Sequence, residues 1–254
     1  MGDALRTDEP MKRKVVVIGE SGSGKTSILR RFVHNEFADG CRETLGVDFS
    51  LKLVSITSPI HDGDDATTEG SSGATGVKRS PGASSTSSTL LQLWDVAGQQ
   101  RCGSMSQVYY RGAAAAVCVV DATRAETFES ASHWKGDLDR HVFLPGTTTN
   151  IPCILLINKV DITPPHLSQE AIDSFCERFH FAAAFETSAK TGVGIDEAML
   201  TLVTLMARND RLLNEQRIRN APMMLSPSSG RDLLNKQPKM LCSSSGRSGF
   251  CIAS

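Results

Sequence analysis

The sequence predicts an α/β domain with a six-stranded, mostly parallel sheet and helices on both faces. Six apolar segments with strand character alternate along the chain with segments of helical character. Such alternation is typical of strands joined by crossover helices, which bury both faces of a parallel sheet. Ligands of these sheets bind at the carboxyl ends of the strands, so the residues that follow each strand are the candidate functional residues.

The strand segments differ in pattern according to their expected environment. KVVVIG is typical of a short buried strand, whereas VDFSLKLVSIT alternates like a half-exposed strand and TLLQLWD resembles its hairpin partner. Three more buried strands follow, with the sequences AAAAVCVVD, IPCILLIN and AAAFETS. Helical segments are expected at 25–35, 127–141, 167–180 and 194–213.

The composition argues against several classes of protein. In 254 residues, a hydrophobic content of 40% is sufficient for a core, and the net charge of -1 gives no reason to expect a nucleic-acid partner. No apolar run approaches the ~20 residues that span a bilayer, and the N-terminus lacks an apolar signal segment. The cysteines form no CxxC pair, which favours a reducing compartment over a disulfide framework or a zinc site.

We expect one domain with flexible extensions. The predicted parts are a flexible N-terminus at 1–11, a domain at 12–213 with a disordered insertion at 58–88, and a flexible tail at 214–254. The insertion is rich in Ser, Gly, Thr and Asp and cannot bury enough apolar surface to offset its ordering entropy. Loop closure entropy grows slowly with length, so the insertion requires no function; docking or phosphorylation through its serines is the alternative.

A glycine-rich loop follows the first strand. GESGSGKT satisfies the pattern G-x-x-x-x-G-K-[ST], in which backbone amides and a helix N-terminus approach phosphate groups. Lys25 would reach the β- and γ-phosphates, and the Thr26 hydroxyl would bind magnesium. A Gly/Ser linker is the alternative, but the flanking segments VVVIG and ILRRFV favour a strand and a helix. The motif alone does not separate ATP from GTP, or a kinase from a switch.

Two polar motifs after later strands favour guanine as the base. In NKVD, the Asp161 carboxylate can accept from two guanine N–H groups, and adenine offers no matching pair. Lys159 could lie along the base, and Asn158 could tie this loop to the phosphate loop. In ETSAK, the backbone N–H of Ala189 could donate to the guanine carbonyl oxygen.

The stretch LWDVAGQQ is either a polar turn or a site for a metal, a phosphate and a water molecule. Phosphoryl transfer needs charge stabilisation and in-line positioning more than a covalent nucleophile. Gly98 supplies a hinge that can approach or leave a phosphate, and the Gln99 amide can both donate and accept hydrogen bonds. These properties favour the site over the turn.

The order GESGSGKT, Thr44, WDVAGQ, NKVD and SAK resembles that of the small GTPases of the Ras superfamily over residues 12–210. LGVDF, LQLWDVAGQQR and VYYRGA resemble the Rab family, and HWKGDLD, HVFLP and FETSAK are most similar to the Rab subgroup serving lysosome-related organelles. The resemblance implies a Ras-like P-loop GTPase fold. It also implies a GTP/GDP-dependent switch that hydrolyses GTP slowly with Mg²⁺ and recruits effectors in membrane trafficking.

The resemblance also implies roles for individual residues. Thr44 in switch I would bind Mg²⁺, as would Thr26, and Asp95 would do so through water. Gly98 would contact the γ-phosphate, and Gln99 would orient the attacking water as the catalytic residue together with the phosphate-loop lysine. The implied GTP contacts are Gly19, Glu20, Ser21, Gly22, Ser23, Gly24, Lys25, Thr26, Ser27, Phe37, Thr44, Asp95, Gly98, Asn158, Lys159, Asp161, Ser188, Ala189 and Lys190. Phe37 would pack against guanine.

Nucleotide-dependent recognition is expected at two mobile segments, switch I (41–49) and switch II (95–109). Phe49, Trp94 and Tyr109 match the aromatic trio through which Rab proteins present their nucleotide state to effectors. The expected protein partners are an exchange factor, a GTPase activator and effectors. Two departures from the family lie in switch II: Gln100 replaces the usual Glu, and Cys102 replaces the usual aromatic residue. They bear on regulator recognition rather than on the chemistry.

Two other classes of function compete with a GTPase switch. A GTP-binding scaffold without useful hydrolysis is the first, and a P-loop nucleotide kinase is the second. Gln99 favours hydrolysis over the scaffold. Asp161, Ala189 and the lack of a recognisable arginine lid disfavour the kinase.

The C-terminal residues CIAS fit the prenylation pattern C-a-a-X, with Cys251 as the lipidated residue. An ordinary frayed tail is the alternative. A single lipid holds only reversibly, so basic residues of the tail or lipid on Cys242 could supply a second signal. The kind of prenyl group stays open. We expect a monomer on the cytoplasmic face of intracellular membranes, either endosomal, lysosome-related or trans-Golgi, with a cytosolic pool.

Overall fold

The computed structural model describes residues 10–40, 43–59, 84–98, 105–163 and 168–220. The strands are β1 (Met11–Gly19), β2 (Val47–Pro59), β3 (Ser84–Val96), β4 (Ala115–Asp121), β5 (Cys153–Asn158) and β6 (Ala183–Thr187). The helices are α1 (Lys25–His34), α2 (Met105–Tyr110), α3 (Glu126–His141), α4 (Gln169–Phe179) and α5 (Ile195–Asn220). The six strands form one sheet in the order β2-β3-β1-β4-β5-β6. Only β2 and β3 pair antiparallel, so the predicted mostly parallel sheet is confirmed.

Helices cover both faces of the sheet because side chains alternate along each strand. On β1, Val16 and Ile18 belong to one core cluster, which includes Trp134 of α3. Val15 and Val17 point the other way and belong to a second cluster, formed with α1 and α5. All four β1 side chains are fully buried, and each such side chain contributes ~1.5–3 kcal/mol of burial free energy. The prediction of helices on both faces is confirmed.

The β2–β3 hairpin is longer than predicted. Its ladder continues to the pair Pro59–Ser84, so residues 58–59 and 84–88 belong to the hairpin rather than to the predicted insertion. Backbone hydrogen bonds hold the two strands together, and Ser and Thr form them as well as apolar residues do. Because this part of the hairpin lacks alternating apolar residues, the sequence pattern did not indicate a strand there. The predicted disorder of the remaining segment, 60–83, lies outside the described residues.

Helix α5 also exceeds its predicted range. It continues through residues 214–220, which we assigned to the flexible tail, because the sequence from 195 to 221 holds no Gly or Pro to end it. Asp210 of α5 pairs with Arg13 of β1, which ties the helix to the sheet. At the other end of the chain, β1 begins at Met11, which is three residues before the predicted strand KVVVIG and at the end of the predicted flexible N-terminus, 1–11. Residues 1–9 lie outside the described residues. None of the helices in the described ranges is long and apolar enough to cross a membrane.

The carboxyl ends of the parallel strands meet at one edge of the sheet. Asp121, Asn158 and Thr187 are aligned in register across β4, β5 and β6, and each ends its strand. Gly19 ends β1 beside them. The loops that follow these residues therefore lie together, as expected for a parallel α/β sheet.

Candidate nucleotide-binding site

A cavity of about 420 Å³ opens at the carboxyl ends of the strands. Most of the predicted GTP contacts line it, namely Ser21, Gly22, Gly24, Lys25, Thr26, Ser27, Phe37, Thr44, Gly98, Asn158, Lys159, Asp161, Ala189 and Lys190. Five lining residues were not predicted, namely Ala38, Asp39, Gly40, Glu43 and Ile162. The remaining predicted contacts do not line the cavity, but each is hydrogen-bonded to a residue that does. They are Gly19, Glu20, Ser23, Asp95 and Ser188. Gln99 lies outside the described residues.

The phosphate loop depends on glycines at positions with left-handed backbone. Gly24 has φ of 96°, and a Cβ there would lie 2.2 Å from Asn158 Nδ2. Helix α1 begins at the next residue, and no described side chain caps it. The N–H groups of its first turn therefore face the loop, where an anion would satisfy them and meet the positive end of the helix dipole.

Lys25 is held underneath this loop. Its Nζ donates to the carbonyl oxygens of Gly19 and Glu20, at 3.0 Å each. The side chain is buried, and this burial lowers the pKa of Lys25 while the charge of Asp95 opposes the shift. A phosphate at the loop would favour the charged ammonium further, because an opposite charge nearby stabilises it.

Three oxygen-bearing side chains converge beside Lys25. Thr26 Oγ1 lies 2.7 Å from Thr44 Oγ1 and donates to Asp95 Oδ2 at 2.5 Å, and Thr44 donates to the same oxygen at 3.2 Å. Asp95 is buried, and its Oδ1 has no hydrogen-bond partner among the described residues. Burial raises the pKa of Asp95, and the bond from Thr26 offsets this only in part. A hard divalent cation fits such a set, because Mg²⁺ prefers oxygen ligands and would compensate the buried carboxylate.

Gly98 lies directly against the phosphate loop. A Cβ on this residue would lie 2.3 Å from the backbone nitrogen of Ser21 and 2.7 Å from the carbonyl carbon of Glu20. Only glycine allows this approach, since backbone atoms cannot yield as a flexible side chain can. The start of switch II is therefore seated on the phosphate loop.

Asn158 joins the two ends of the cavity. Its Nδ2 donates to the carbonyl of Ser23 at 2.9 Å, and its Oδ1 accepts from the backbone N–H of Ala189 at 3.2 Å. The first bond ties the NKVD loop to the phosphate loop. The second bond uses the backbone N–H of Ala189, which we predicted to donate to guanine. In this structure that N–H donates to Asn158 instead.

Asp161 is oriented by the SAK loop. Ser188 is buried, and its hydroxyl donates to Asp161 Oδ1 at 2.6 Å. The same hydroxyl accepts from the backbone N–H of Thr191 at 3.0 Å. With Ser188 fixed in this way, the carboxylate of Asp161 lines the cavity in a defined orientation.

Sequence reasoning missed Asp121, which connects the base side of the cavity with the phosphate side. Its buried carboxylate accepts from Lys159 at 2.6 Å and from Arg124 at 3.1 Å. Arg124 in turn donates to the carbonyl of Ser21 at 2.9 Å. Burial opposes ionisation of Asp121, yet the hydrogen bonds from Lys159 and Thr123 prevail and lower its pKa. The available signal was its place at the end of a strand, the same rule that identified Asp95.

The predicted aromatic trio lies on three elements: Phe49 on β2, Trp94 on β3 and Tyr109 on α2. Phe49 meets Trp94 edge to face, with ring centroids 5.7 Å apart, and is 47% exposed. Trp94 and Tyr109 both pack against the core cluster shared with α3. Lys14 Nζ lies 3.9 Å from the centre of the Trp94 ring. The predicted lipidation residue, Cys251, lies outside the described residues.

Comparison with known proteins matches two family models to the chain. The model described as "Ras family" matches residues 73–208, and "Ras of Complex, Roc, domain of DAPkinase" matches residues 14–69. Ras-related protein Rab-32C of Dictyostelium discoideum is 40% identical over 200 residues, which cover 78% of this chain and 75% of that protein. Rab-32 of Homo sapiens is 40% identical over 205 residues, covering 80% and 79%. Rab-7L1 of Rattus norvegicus is 37% identical over 198 residues, covering 78% and 83%.

Proposed function

Because the chain belongs to the Rab family of Ras-superfamily small GTPases, we propose that the cavity at the strand ends holds GTP or GDP with Mg²⁺ and that its contents set the state of both switches. The protein is a GTP hydrolase and a nucleotide-dependent switch in membrane trafficking. The observation that carries the proposal is the convergence of the Thr26, Thr44 and Asp95 oxygens beside the buried Lys25 ammonium.

The phosphate end of the cavity supplies charge compensation and positioning. The Lys25 ammonium and the N–H groups at the start of α1 neutralise phosphate oxygens. Thr26, Thr44 and Asp95 would hold Mg²⁺, which would neutralise negative charge that develops between the β- and γ-phosphates. Gly98 brings its backbone amide to the γ-phosphate, since it already lies against Ser21.

The base end of the cavity selects guanine. The Asp161 carboxylate accepts from two N–H groups of the base, and its bond from Ser188 keeps it in the orientation for this task. An unpaired buried acceptor costs ~1–3 kcal/mol, so adenine is disfavoured there. Phe37 lines the same cavity and packs against the base, while Lys159 lies between the base and Asp121.

Gln99→Leu tests whether hydrolysis uses this site as proposed. Removing the amide that orients the attacking water is expected to slow activator-stimulated, single-turnover phosphate release by about 10- to 10³-fold. GTP affinity is retained, because the side chain acts on the water rather than on the bound nucleotide. Gln216→Leu is the control, since it makes the same change on the exposed part of α5. Phosphate release at the unmodified rate in Gln99→Leu would contradict the mechanism.

The switches present the nucleotide state to protein partners through Phe49, Trp94 and Tyr109. The exposed Phe49 ring and the Trp94 ring meet at the β2–β3 pair, where Phe49 is the last residue of switch I and Trp94 directly precedes switch II. Any movement of Thr44 or Gly98 is therefore transmitted to this surface over a few residues. Exchange factors, GTPase activators and effectors are the partners that this arrangement serves.

Cys251 anchors the protein to the cytoplasmic face of intracellular membranes, with lysosome-related compartments as the proposed location. Cys251→Ser removes the thiol that the C-a-a-X pattern requires, so the variant is expected in the soluble fraction after cell fractionation. GTP binding is unchanged, since the tail is distant in sequence from every cavity residue. Cys242→Ser, measured alongside, tests whether lipid on that residue supplies a second signal: full retention on membranes assigns the anchor to Cys251 alone, and partial release assigns Cys242 a contributing role. A Cys251→Ser variant that still pellets with membranes like the parent places the anchor elsewhere.

A further inference from the structure

We propose that Glu43 determines how strongly the site prefers GDP over GTP, by holding a carboxylate where the γ-phosphate must be accommodated. This inference rests on the proposed nucleotide site and adds a residue that no motif identifies. Glu43 lines the cavity, and Ser21 Oγ of the phosphate loop donates to its Oε1 at 3.0 Å. One carboxylate of switch I is thus fastened to the phosphate loop.

The position of this contact along the cavity is defined by its neighbours. Ser21 is the residue whose backbone nitrogen would lie 2.3 Å from a Cβ on Gly98. Thr44, the residue after Glu43, donates to Asp95 at 3.2 Å on the metal side. Asp161 and Ala189 mark the opposite, base end. By these contacts, the Glu43 carboxylate lies at the γ-phosphate end of the cavity.

A negative charge at this place affects the two nucleotides differently. GDP ends at the β-phosphate, so its binding leaves the Ser21–Glu43 bond in place. GTP brings further negative charge to the γ-position, where it repels the carboxylate and competes for the Ser21 hydroxyl. Glu43 must then leave Ser21, which makes the binding free energy of GTP less favourable and leaves that of GDP unchanged.

The cations in and beside the phosphate loop, Lys25 and Arg124, do not remove this difference. Lys25 is engaged with the carbonyls of Gly19 and Glu20, and Arg124 with Asp121 and the carbonyl of Ser21. Both attract the phosphates of either nucleotide. The Glu43 side chain is exposed to solvent, which limits the size of the repulsion through dielectric and salt screening.

The test compares the affinities of GDP and a non-hydrolysable GTP analogue, measured by competition against a fluorescent guanine nucleotide with Mg²⁺ present. Glu43→Gln keeps the size and the acceptor oxygen but removes the charge, and is expected to improve the affinity ratio in favour of the GTP analogue by about three- to tenfold. Glu43→Ala should give a similar change. Raising the salt concentration should bring the parent towards the variants, because screening weakens the same repulsion.

Glu36→Gln is the matched control, because it removes one exposed carboxylate between α1 and switch I and is expected to leave the ratio unchanged. An unchanged ratio in Glu43→Gln, or a change in Glu43→Ala alone, overturns the charge mechanism. If the parent binds neither nucleotide, the proposed site itself fails. A parent that binds both with the same ratio as Glu43→Gln refutes only the role of Glu43.

Discussion

Gly98→Ala is expected to slow single-turnover GTP hydrolysis by about 100-fold or more, with little effect on GDP affinity. The added methyl group would lie 2.3 Å from the Ser21 nitrogen and 2.6 Å from its Cα, and these backbone atoms belong to the phosphate loop itself. This steric clash is removed only if the start of switch II moves away from the phosphate loop. The Gly98 amide then leaves the γ-phosphate, and Gln99 moves with it. GDP lacks the γ-phosphate and does not depend on this approach.

Gly136→Ala provides the matched control for this substitution. Gly136 lies in α3, and a Cβ there would meet no atom within 4 Å. Alanine in a helix is more favourable than glycine by ~0.5–1 kcal/mol, so this variant should be as active as the parent and at least as stable. Rapid-quench or phosphate-sensor kinetics gives the rate for both variants. Hydrolysis by Gly98→Ala at the parent rate would show that switch II need not touch the phosphate loop.

Asp161→Asn is expected to weaken GTP binding by about 100-fold or more and to favour xanthosine triphosphate. The variant loses charge-assisted hydrogen bonds to two N–H groups of guanine, each contributing ~1.5–3 kcal/mol. The structure adds a reason for the reversal of preference. Ser188 donates to Oδ1, so an asparagine that keeps this bond places its NH₂ group where Oδ2 was. That group donates to the extra carbonyl of xanthine.

Competition titrations with GTP, xanthosine triphosphate and ATP measure this change of specificity. Asp196→Asn on the first turn of α5 makes the same substitution at an exposed carboxylate and should leave all three affinities unchanged. Equal binding of GTP by Asp161→Asn and the parent would mean that another group selects the base. A preference for ATP in the parent would also contradict the assignment of the cavity.

The parts of the fold with strong periodicity could be predicted from the sequence. The buried strands, α1, α3, α4 and most of α5 follow apolar patterns, and the family predicted from the order of the motifs is confirmed. The extended end of the β2–β3 hairpin has no apolar alternation, since Ser and Thr predominate there. The short helix α2 is too brief for a helical period to be recognised. Both elements were missed because neither has the apolar periodicity from which strands and helices are predicted.

The motifs predicted which residues would line the cavity, but not how they contact one another. Residues of the phosphate loop, NKVD and SAK come together at the strand ends because the sheet is parallel. Asp121 and Glu43 belong to no motif, and their partners, Lys159 and Ser21, are far away in the chain. A single sequence contains no signal for such long-range pairs. The scaffold and kinase alternatives are set aside by the family, whose members are GTP hydrolases.

Helix α5 also determines how the chain departs from the domain. The pair between Arg13 and Asp210 is a fixed point on the sheet, and α5 continues for ten residues beyond it, through 211–220. At 1.5 Å per residue these span about 15 Å, comparable to the diameter of a helix with its side chains. The chain therefore extends beyond the sheet as a helical rod with a defined direction, and it leaves the domain at the end of this rod. The rod therefore determines where the chain leaves the domain, because residue 220 lies about 15 Å along the helix axis from the Arg13–Asp210 pair and the following residues begin from there rather than from the sheet.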